Sequence, residues 1–471
     1  MKADMNGPVH HVVDALIVGG GPGGMSTAIT AAKVWPGRKI FLVRKEDEPV
    51  VPCGIPYIFG TLGGVEADLM SNAPFRALGG TVLGDPVVEI DRQARRAVLA
   101  SGDVVEWQRL VLATGTLPHL PDLPGIRRPG VFVIRKEYDY LEHLFDELLP
   151  TVERLAIVGG GFIGVEFADE IRKRGVQVTL LEQMPHLLLR NFDAAVSTAV
   201  EKKLQQAGIE IQCGVQVVAL EGEGDEGPVQ GVRLADDHQV PADAVLIAFG
   251  DQRNTALAES LGLTMARGGG IWVDAFQRSR EDSCIFAVGD CAFKQDILLR
   301  RSIPSLLAST AAAEGRTAGM NLFGLRNERF NAGSIAIYAS QIGDLAFGCA
   351  GMTAQAARQE GFAVVVGRVE VPDHHPPTMP GTRLMTCELI FSGSGLLLGG
   401  QIMGGTTSAE VLNAIGIAIQ ARLTVHDLVG FQFGSHPRLT APAHPIALAA
   451  LEALFILQAT SSAATERAVP S

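Results

Sequence analysis

Two copies of one glycine pattern constrain this chain more than any other feature. Residues 14–24 read DALIVGGGPGG, and residues 153–182 read ERLAIVGGGFIGVEFADEIRKRGVQVTLLE. Each places a short apolar run, Ala15 to Val18 in the first copy, directly before Gly-x-Gly-x-x-Gly and a helix-forming stretch. In such a strand–loop–helix unit the first glycine (Gly19, Gly159) permits the tight turn. The second (Gly21, Gly161) lets the backbone approach a pyrophosphate, and the third (Gly24, Gly164) lets helix pack on strand. The helix N-terminus adds N–H donors and the positive end of a dipole. One such loop is weak evidence. Two, each in the right context and well separated, predict two Rossmann-like nucleotide-binding units.

The second copy carries its ribose acid. Glu182 closes the strand VQVTLLE, about 20 residues past Gly159. Gln183 and Met184 follow it, with no arginine to hold a 2′-phosphate, so NADH is favoured over NADPH. The first copy differs: in KIFLVRKED the acid's position holds Arg44. Glu46, Asp47 or backbone groups remain as ribose ligands, and Arg44 is either part of the site or a solvated charge. Two later segments complete the first site. RLVLATGTLPHLP reads as a strand ending in an Ala-Thr-Gly turn, and DSCIFAVGDCA as a strand with Asp290 at its C-terminal end, where a carboxylate can accept from sugar hydroxyls.

At 471 residues the chain is too long for one core. We expect a first nucleotide-binding unit split over 1–121 and 249–329, a second at 122–248, and a C-terminal α+β domain at 330–471; the family resemblance given below makes the first the FAD-binding and the second the NAD(P)H-binding unit. The last follows from strand-like runs (SIAIYA, FAVVVGRVEV, RLMTCELIF, GLLLGGQIM) beside helical ones (TSAEVLNAIGIAIQA, PIALAALEALFIL). Ile446 to Leu457 reads as a buried helix, His10 and His11 as a mobile arm, and SSAATERAVPS as a tail without fixed structure. Hydrophobic residues at 47%, charged residues at 19% and a net charge of −12 suit a globular protein and weigh against nucleic acid or anionic membrane as the main partner. No apolar run is long enough to span a bilayer, and no apolar signal core is evident, so a cytoplasmic location is expected. His374 and His375 lie in VPDHHPP without a third ligand at sensible spacing, and no metal is expected.

Six cysteines include no CxxC pair. Most of them read as buried, reduced and inert, and Cys291, beside Asp290, as a small packing residue. Cys53, in VVPCGIPYIFG, stands between the two glycine loops, and the residue that would complete a CxxxxC redox pair is Ile58. A single thiol placed to receive electrons from a flavin must find its sulfur partner in a substrate.

With GGGPGG, ATG, GGGFIGVE, GDCA and SLLASTAAAEGRTAG, the chain resembles the flavoprotein pyridine nucleotide–disulfide oxidoreductases over nearly its whole length. PCGIPY, DHHPPTMPGTRLM and GLLLGGQIMGG resemble the single-cysteine branch, which includes coenzyme A-disulfide reductase, NADH oxidase and peroxidase, and persulfide or polysulfide reductase. The resemblance implies an α/β fold with FAD and NADH domains and a C-terminal dimerisation domain. It implies FAD on Gly19, Gly21, Gly24 and Asp290, with Thr114 and Gly115 bordering the adenine side. It implies NADH on Gly159, Gly161, Gly164 and Glu182, Phe162 as an aromatic gate, Glu166 near the nicotinamide, and Cys53 as the redox residue. The chain departs from the branch in several places. Val50 and Val51 replace the usual Ser-Phe ahead of the cysteine. Where coenzyme A reductases carry a phosphate-gripping arginine, this chain has Thr30, with Lys33 a turn later, which weighs against coenzyme A. FGSHPRLTAPAHP replaces a tyrosine-containing run. His436-Pro437 is similar to the His-Pro segment whose histidine serves the partner subunit in two-cysteine relatives, with Ala441 where its orienting acid would be. His436 and then Tyr57 are the candidate proton donors, while His444 reads as structural or exposed.

The expected function is transfer of electrons from NADH through FAD and Cys53 to a disulfide, persulfide or polysulfide in a homodimer completed by its second subunit. The alternatives are an NADH oxidase or peroxidase cycling a Cys53 sulfenate, and a slowly turning redox sensor.

Overall fold

The computed structural model describes residues 8–327, 331 and 333–467, with backbone alone from 461 on. By internal contacts it divides into two compact units, one of residues 1–121, 133–151 and 249–334, the other of 122–132, 152–248 and 335–471.

The first unit is built on a seven-stranded sheet. Strands Thr81–Gly84, Ile40–Arg44, His10–Val18 and Val104–Leu112 run parallel, Ile285–Ala287 adds in parallel beside Leu110–Leu112, and an antiparallel hairpin extends the far edge. The central strands are buried on both faces, as parallel strands covered on both sides must be. Leu16, Val18, Phe41, Val43, Leu110 and Leu112 belong to one core, and Ala15, Ile17, Ile40, Leu42 and Val111 to another with the helices. The helix Pro22–Val34 packs against Ala308–Asn321 at near-backbone contact. A Cβ on Gly315 would stand 2.4 Å from the Gly23 carbonyl oxygen, which accounts for the small residues of SLLASTAAAEGRTAG.

Three local expectations are corrected. His10 and His11 open the first strand, pairing with Val104 and Val105, because the ladder continues past the apolar run. Asp290 lies in the short 3₁₀ turn Gly289–Cys291, just beyond a strand that ends at Ala287. Tail residues 461–467 continue the helix Pro445–Arg467, while 468–471 lie outside the described residues.

The second unit holds a five-stranded parallel sheet, in the order 210–213, 177–182, 154–158, 244–247, 131–132, with a three-stranded antiparallel sheet spanning 217–241. Its C-terminal part is a five-stranded antiparallel sheet backed by the helices Ser408–Gln420, Val425–Gly430 and Pro445–Arg467. The strand Leu345–Gly351 is an addition to the expected runs. The last helix is buried along one face only: Ile446, Ala449, Ala450 and Ala453 are covered, whereas Phe455 and Ile456 are about half exposed. Ile417, Phe431 and Leu439 are exposed in the same region. Among the described residues no helix is long and apolar enough to cross a membrane.

Candidate active site

The two glycine loops repeat one geometry. Gly19 and Gly159 have φ of +108° and +117°, which only glycine adopts readily. A Cβ on Gly24 would lie 1.9 Å from the Gly19 carbonyl oxygen, and one on Gly164 would lie 2.0 Å from that of Gly159. The third glycine of each loop thus lets the helix start against the turn. A Cβ on Gly21 or Gly161 would meet nothing within 4 Å, so the backbone there is open to a ligand. Both are helix N-caps without a side-chain hydrogen bond, leaving N–H groups for phosphate oxygens.

Around the first loop, Thr114 Oγ1 donates to the Asn254 carbonyl oxygen at 2.6 Å, and the Asn254 N–H donates to the Gly115 carbonyl oxygen at 2.9 Å, fixing the Ala-Thr-Gly turn. Arg44 is buried rather than solvated. It donates to the carbonyl oxygens of Glu46 and Asp47 and to Asn72 Oδ1, and burial pulls its guanidinium down to about 10. It acts as a cross-link beneath the loop. Glu46 is engaged by the Tyr138 N–H at 3.1 Å. Asp290 Oδ1 is buried and accepts no hydrogen bond, and burial raises its carboxyl. An orphaned acceptor beside an open glycine loop is what a sugar hydroxyl would satisfy, so these residues fit FAD.

Sequence reasoning missed what holds Asp290. Lys294 and Glu314 form an ion pair at 2.9 Å. Glu314 also accepts from the Gly289 N–H at 2.9 Å, and Lys294 donates to the Gly289 and Ala292 carbonyl oxygens. The pair therefore grips both sides of the turn that presents Asp290. The lone glutamate in an alanine-rich helix was the only signal. Cys291 is fully buried, consistent with packing.

Of the six cysteines Cys53 alone is exposed. Its turn is closed by the Gly54 N–H donating to the Val51 carbonyl oxygen at 2.8 Å and leads into the short helix Ile55–Tyr57, with Tyr57 half-buried.

In the second unit Glu182 folds over its glycine loop, accepting from the Gly160 N–H at 2.6 Å and the Met184 N–H at 2.7 Å. Phe162, first residue of the helix Phe162–Arg172, stacks on Tyr338 with centroids 5.3 Å apart and planes at 16°. Glu166, one turn on, accepts from Ser340 Oγ at 2.6 Å, and burial raises its carboxyl. Tyr338 and Ser340 share the strand Ile337–Ile342, so the C-terminal part contacts two expected nicotinamide-side residues, a link the sequence did not reveal. His436 is exposed on a turn closed by reciprocal backbone bonds with Thr440. It belongs to a different compact unit from Cys53. His444 is buried and stacked on Phe433 at 3.9 Å. His374 pairs with Asp373 at 2.6 Å, and no cluster of three or more metal-ligating side chains occurs among the described residues.

The profile of the pyridine nucleotide-disulphide oxidoreductases matches residues 13–315, and that of their dimerisation domain matches residues 337–444. The chain is 29% identical over 453 residues to an NADH oxidase from Methanocaldococcus jannaschii, covering 93% of this chain and 98% of that protein. It is 28% identical over 419 residues to an NAD(P)H coenzyme A polysulfide/persulfide reductase from Pyrococcus horikoshii, covering 88% and 92%. Among solved structures, a NAD-dependent persulfide reductase from A. fulgidus superposes with a TM-score of 0.86 at 25% identity, covering 95% of this chain and 84% of that one.

Proposed function

Because this chain belongs to the pyridine nucleotide-disulphide oxidoreductase family, whose members use FAD and NAD(P)H, we propose that it carries electrons from NADH through FAD and Cys53 to a sulfur–sulfur bond in a small substrate. The observation carrying this reading is that Cys53 is the one exposed thiol, in the same compact unit as the glycine loop and the orphaned Asp290. The persulfide reductases among its relatives support the substrate class.

FAD, when bound, accepts two electrons from NADH and passes them on to sulfur. Gly19, Gly21 and Gly24 would hold its pyrophosphate and Asp290 its sugar chain, with Thr114 and Gly115 on the adenine side. Gly159, Gly161, Gly164 and Glu182 would hold NADH, with Glu182 taking the ribose hydroxyls and no basic side chain immediately after it to attract a 2′-phosphate. Phe162 and Glu166 would border the nicotinamide. Cys53, as a thiolate, attacks one sulfur of the substrate, forms a Cys53–S–S–R bond and expels the other sulfur. Two electrons then break that bond, restoring the Cys53 thiolate and releasing R–S⁻. Each departing sulfur takes up a proton. His436, supplied by a second copy of the chain, is the first candidate donor and Tyr57 the second. The dimerisation-domain match and the exposed apolar residues of the C-terminal part support a homodimer. Cys213, Cys284, Cys291, Cys349 and Cys387 stand outside any disulfide, which suits the reducing cytoplasm.

A second reading is favoured by the likeness to an NADH oxidase over almost the full chain. Cys53 would then be oxidised to a sulfenate by peroxide, or reduced flavin would react with oxygen directly.

An acceptor screen of the FAD-loaded protein separates the two. Coenzyme A disulfide, coenzyme A persulfide, glutathione persulfide, polysulfide, peroxide and oxygen are compared, with NADH oxidation as the readout. Under the sulfur reading a persulfide, polysulfide or disulfide is the fastest acceptor, and Cys53→Ser abolishes its reduction while NADH still bleaches the flavin. Undiminished sulfur reduction by Cys53→Ser defeats the relay.

A further inference from the structure

The strand Ile337–Ile342, first of the C-terminal sheet, meets the first two turns of the helix Phe162–Arg172 at two points. Tyr338 and Ser340, two apart on the strand, share a face. Phe162 and Glu166, four apart on the helix, share a face as well. Tyr338 stacks on Phe162, and Ser340 Oγ donates to Glu166 Oε1 at 2.6 Å. The Tyr338 hydroxyl also meets the side chain of Asn191, in the stretch that follows Glu182. One strand face thus touches both the helix that follows the second glycine loop and the segment beyond its expected ribose acid.

Packing does not account for an acid at residue 166. Glu166 is partly buried, and withdrawal from water disfavours its charged form. The strands packed on the helix carry Arg154, Glu182 and Tyr338, and the helix itself carries Asp169, Glu170 and Arg172. Of these only Glu170 acts on Glu166, and its negative charge raises the carboxyl further. The Ser340 hydroxyl is the one interaction that favours the carboxylate. A glutamine would fill the same space and accept the same hydrogen bond without that cost. The hydroxyl occupies Oε1 alone, and Oε2 accepts no hydrogen bond among the described residues.

We propose that Ser340 is a positioning residue of the NADH site. It holds the Glu166 carboxylate by one oxygen and leaves the other to accept from the carboxamide N–H of the nicotinamide. Ser340 acts through Glu166 and does not itself touch the coenzyme. The C-terminal part thereby takes a share in coenzyme binding as well as in dimerisation.

The proposal rests on the reading of Glu166 as a nicotinamide-side residue, and its test separates the two. The FAD-loaded protein is mixed anaerobically with NADH in stopped flow, from mildly acidic to mildly alkaline pH. The dissociation constant for NADH is taken from the dependence of the flavin bleaching rate on NADH concentration. Protonation of Glu166 as the pH falls weakens its hold on the carboxamide. Ser340→Ala removes the hydroxyl that favours the charged form, so this weakening begins at higher pH. The ratio of the Ser340→Ala dissociation constant to that of the wild type should therefore grow as the pH falls into the mildly acidic range. Ser340→Thr, which keeps a hydroxyl, should bring the ratio back near one throughout. A ratio that stays at one, or is raised equally at every pH as general loosening would do, overturns the proposal. So does a Ser340→Thr protein that behaves as Ser340→Ala does. Glu166→Gln checks the underlying reading: it should weaken NADH binding and remove the pH-dependent part. If it does so while Ser340→Ala matches the wild type, the positioning role alone fails. If Glu166→Gln binds NADH as the wild type does at every pH, the reading of Glu166 fails, and the proposal with it.

Discussion

Lys294 Nζ and Glu314 Oε2 lie 2.9 Å apart, with side chains 0% and 2% exposed, and together they hold the Gly289 peptide from both sides. Removing one member leaves the other charge buried and alone, which typically costs about 3–5 kcal/mol, whereas replacing both with apolar groups is often near neutral. Lys294→Met and Glu314→Leu should each lower the urea midpoint sharply and release FAD. The double variant should recover most of the stability. Because it loses the grip on the Asp290 turn, its flavin affinity should stay low. Urea titrations with flavin fluorescence separate the two effects.

The orphaned Oδ1 of Asp290 gives a narrower expectation. If a sugar hydroxyl donates to it, Asp290→Ala loses one hydrogen bond to a charged group, about 1.5–3 kcal/mol. FAD should bind roughly 10- to 100-fold more weakly, as read by flavin released on dilution, while the apoprotein keeps its thermal stability or gains a little.

The proposed preference for NADH is tested at the end of the strand Gln177–Glu182. Glu182→Ala should raise the KM for NADH by about tenfold, the loss of one charged hydrogen bond, and leave NADPH little affected. Gln183→Arg should improve NADPH. Glu182 also caps the glycine loop through the Gly160 N–H, so the ratio of the two cofactors, rather than either KM alone, is the informative measurement.

His444 sets an acid limit on the C-terminal part. Burial pulls its imidazole from 6.5 down to about 4, and its Nδ1 accepts from the Ile446 N–H, which requires that nitrogen to be unprotonated. The unfolded chain binds a proton below pH 6.5 and the folded one only near pH 4. Stability is therefore full above about 6.5 and falls as pH drops from 6.5 to 4, by on the order of 3 kcal/mol. His444→Asn, which keeps an acceptor for the same N–H, should flatten that slope, and urea midpoints at pH 7 and pH 5 test it.

What was legible in the sequence follows the range of the physics involved. Gly19-x-Gly21-x-x-Gly24 and its second copy declare themselves because the constraint is local: a positive φ and a close helix approach admit only glycine. The place of Glu182, at the end of its strand and against the glycine loop, was legible through its spacing. The strand Leu345–Gly351 was missed because its two glycines and two alanines dilute the apolar alternation, and it is held by neighbours on both sides. His10 and His11 were misread because strand pairing, not side-chain pattern, extends the ladder to them. Lys294 and Glu314 have no local signature. Each matters through a neighbour distant in sequence, and an isolated charged residue in a turn or helix reads as solvated until its surroundings are known.

The strand Ile285–Ala287 pairs with Leu110–Leu112 across an intervening stretch that forms a separate parallel sheet. During synthesis the sheet at 131–247 is complete before the earlier one can accept its last strand. The orphaned carboxylate of Asp290 and the Lys294–Glu314 grip emerge later still. A nascent chain stopped short of them holds an open edge beside the glycine loop and lacks the residues proposed to complete the flavin site. On the proposed site FAD can be fully seated only after residue 314 has been made, and until then the unpaired sheet edge is the part most exposed to mispairing.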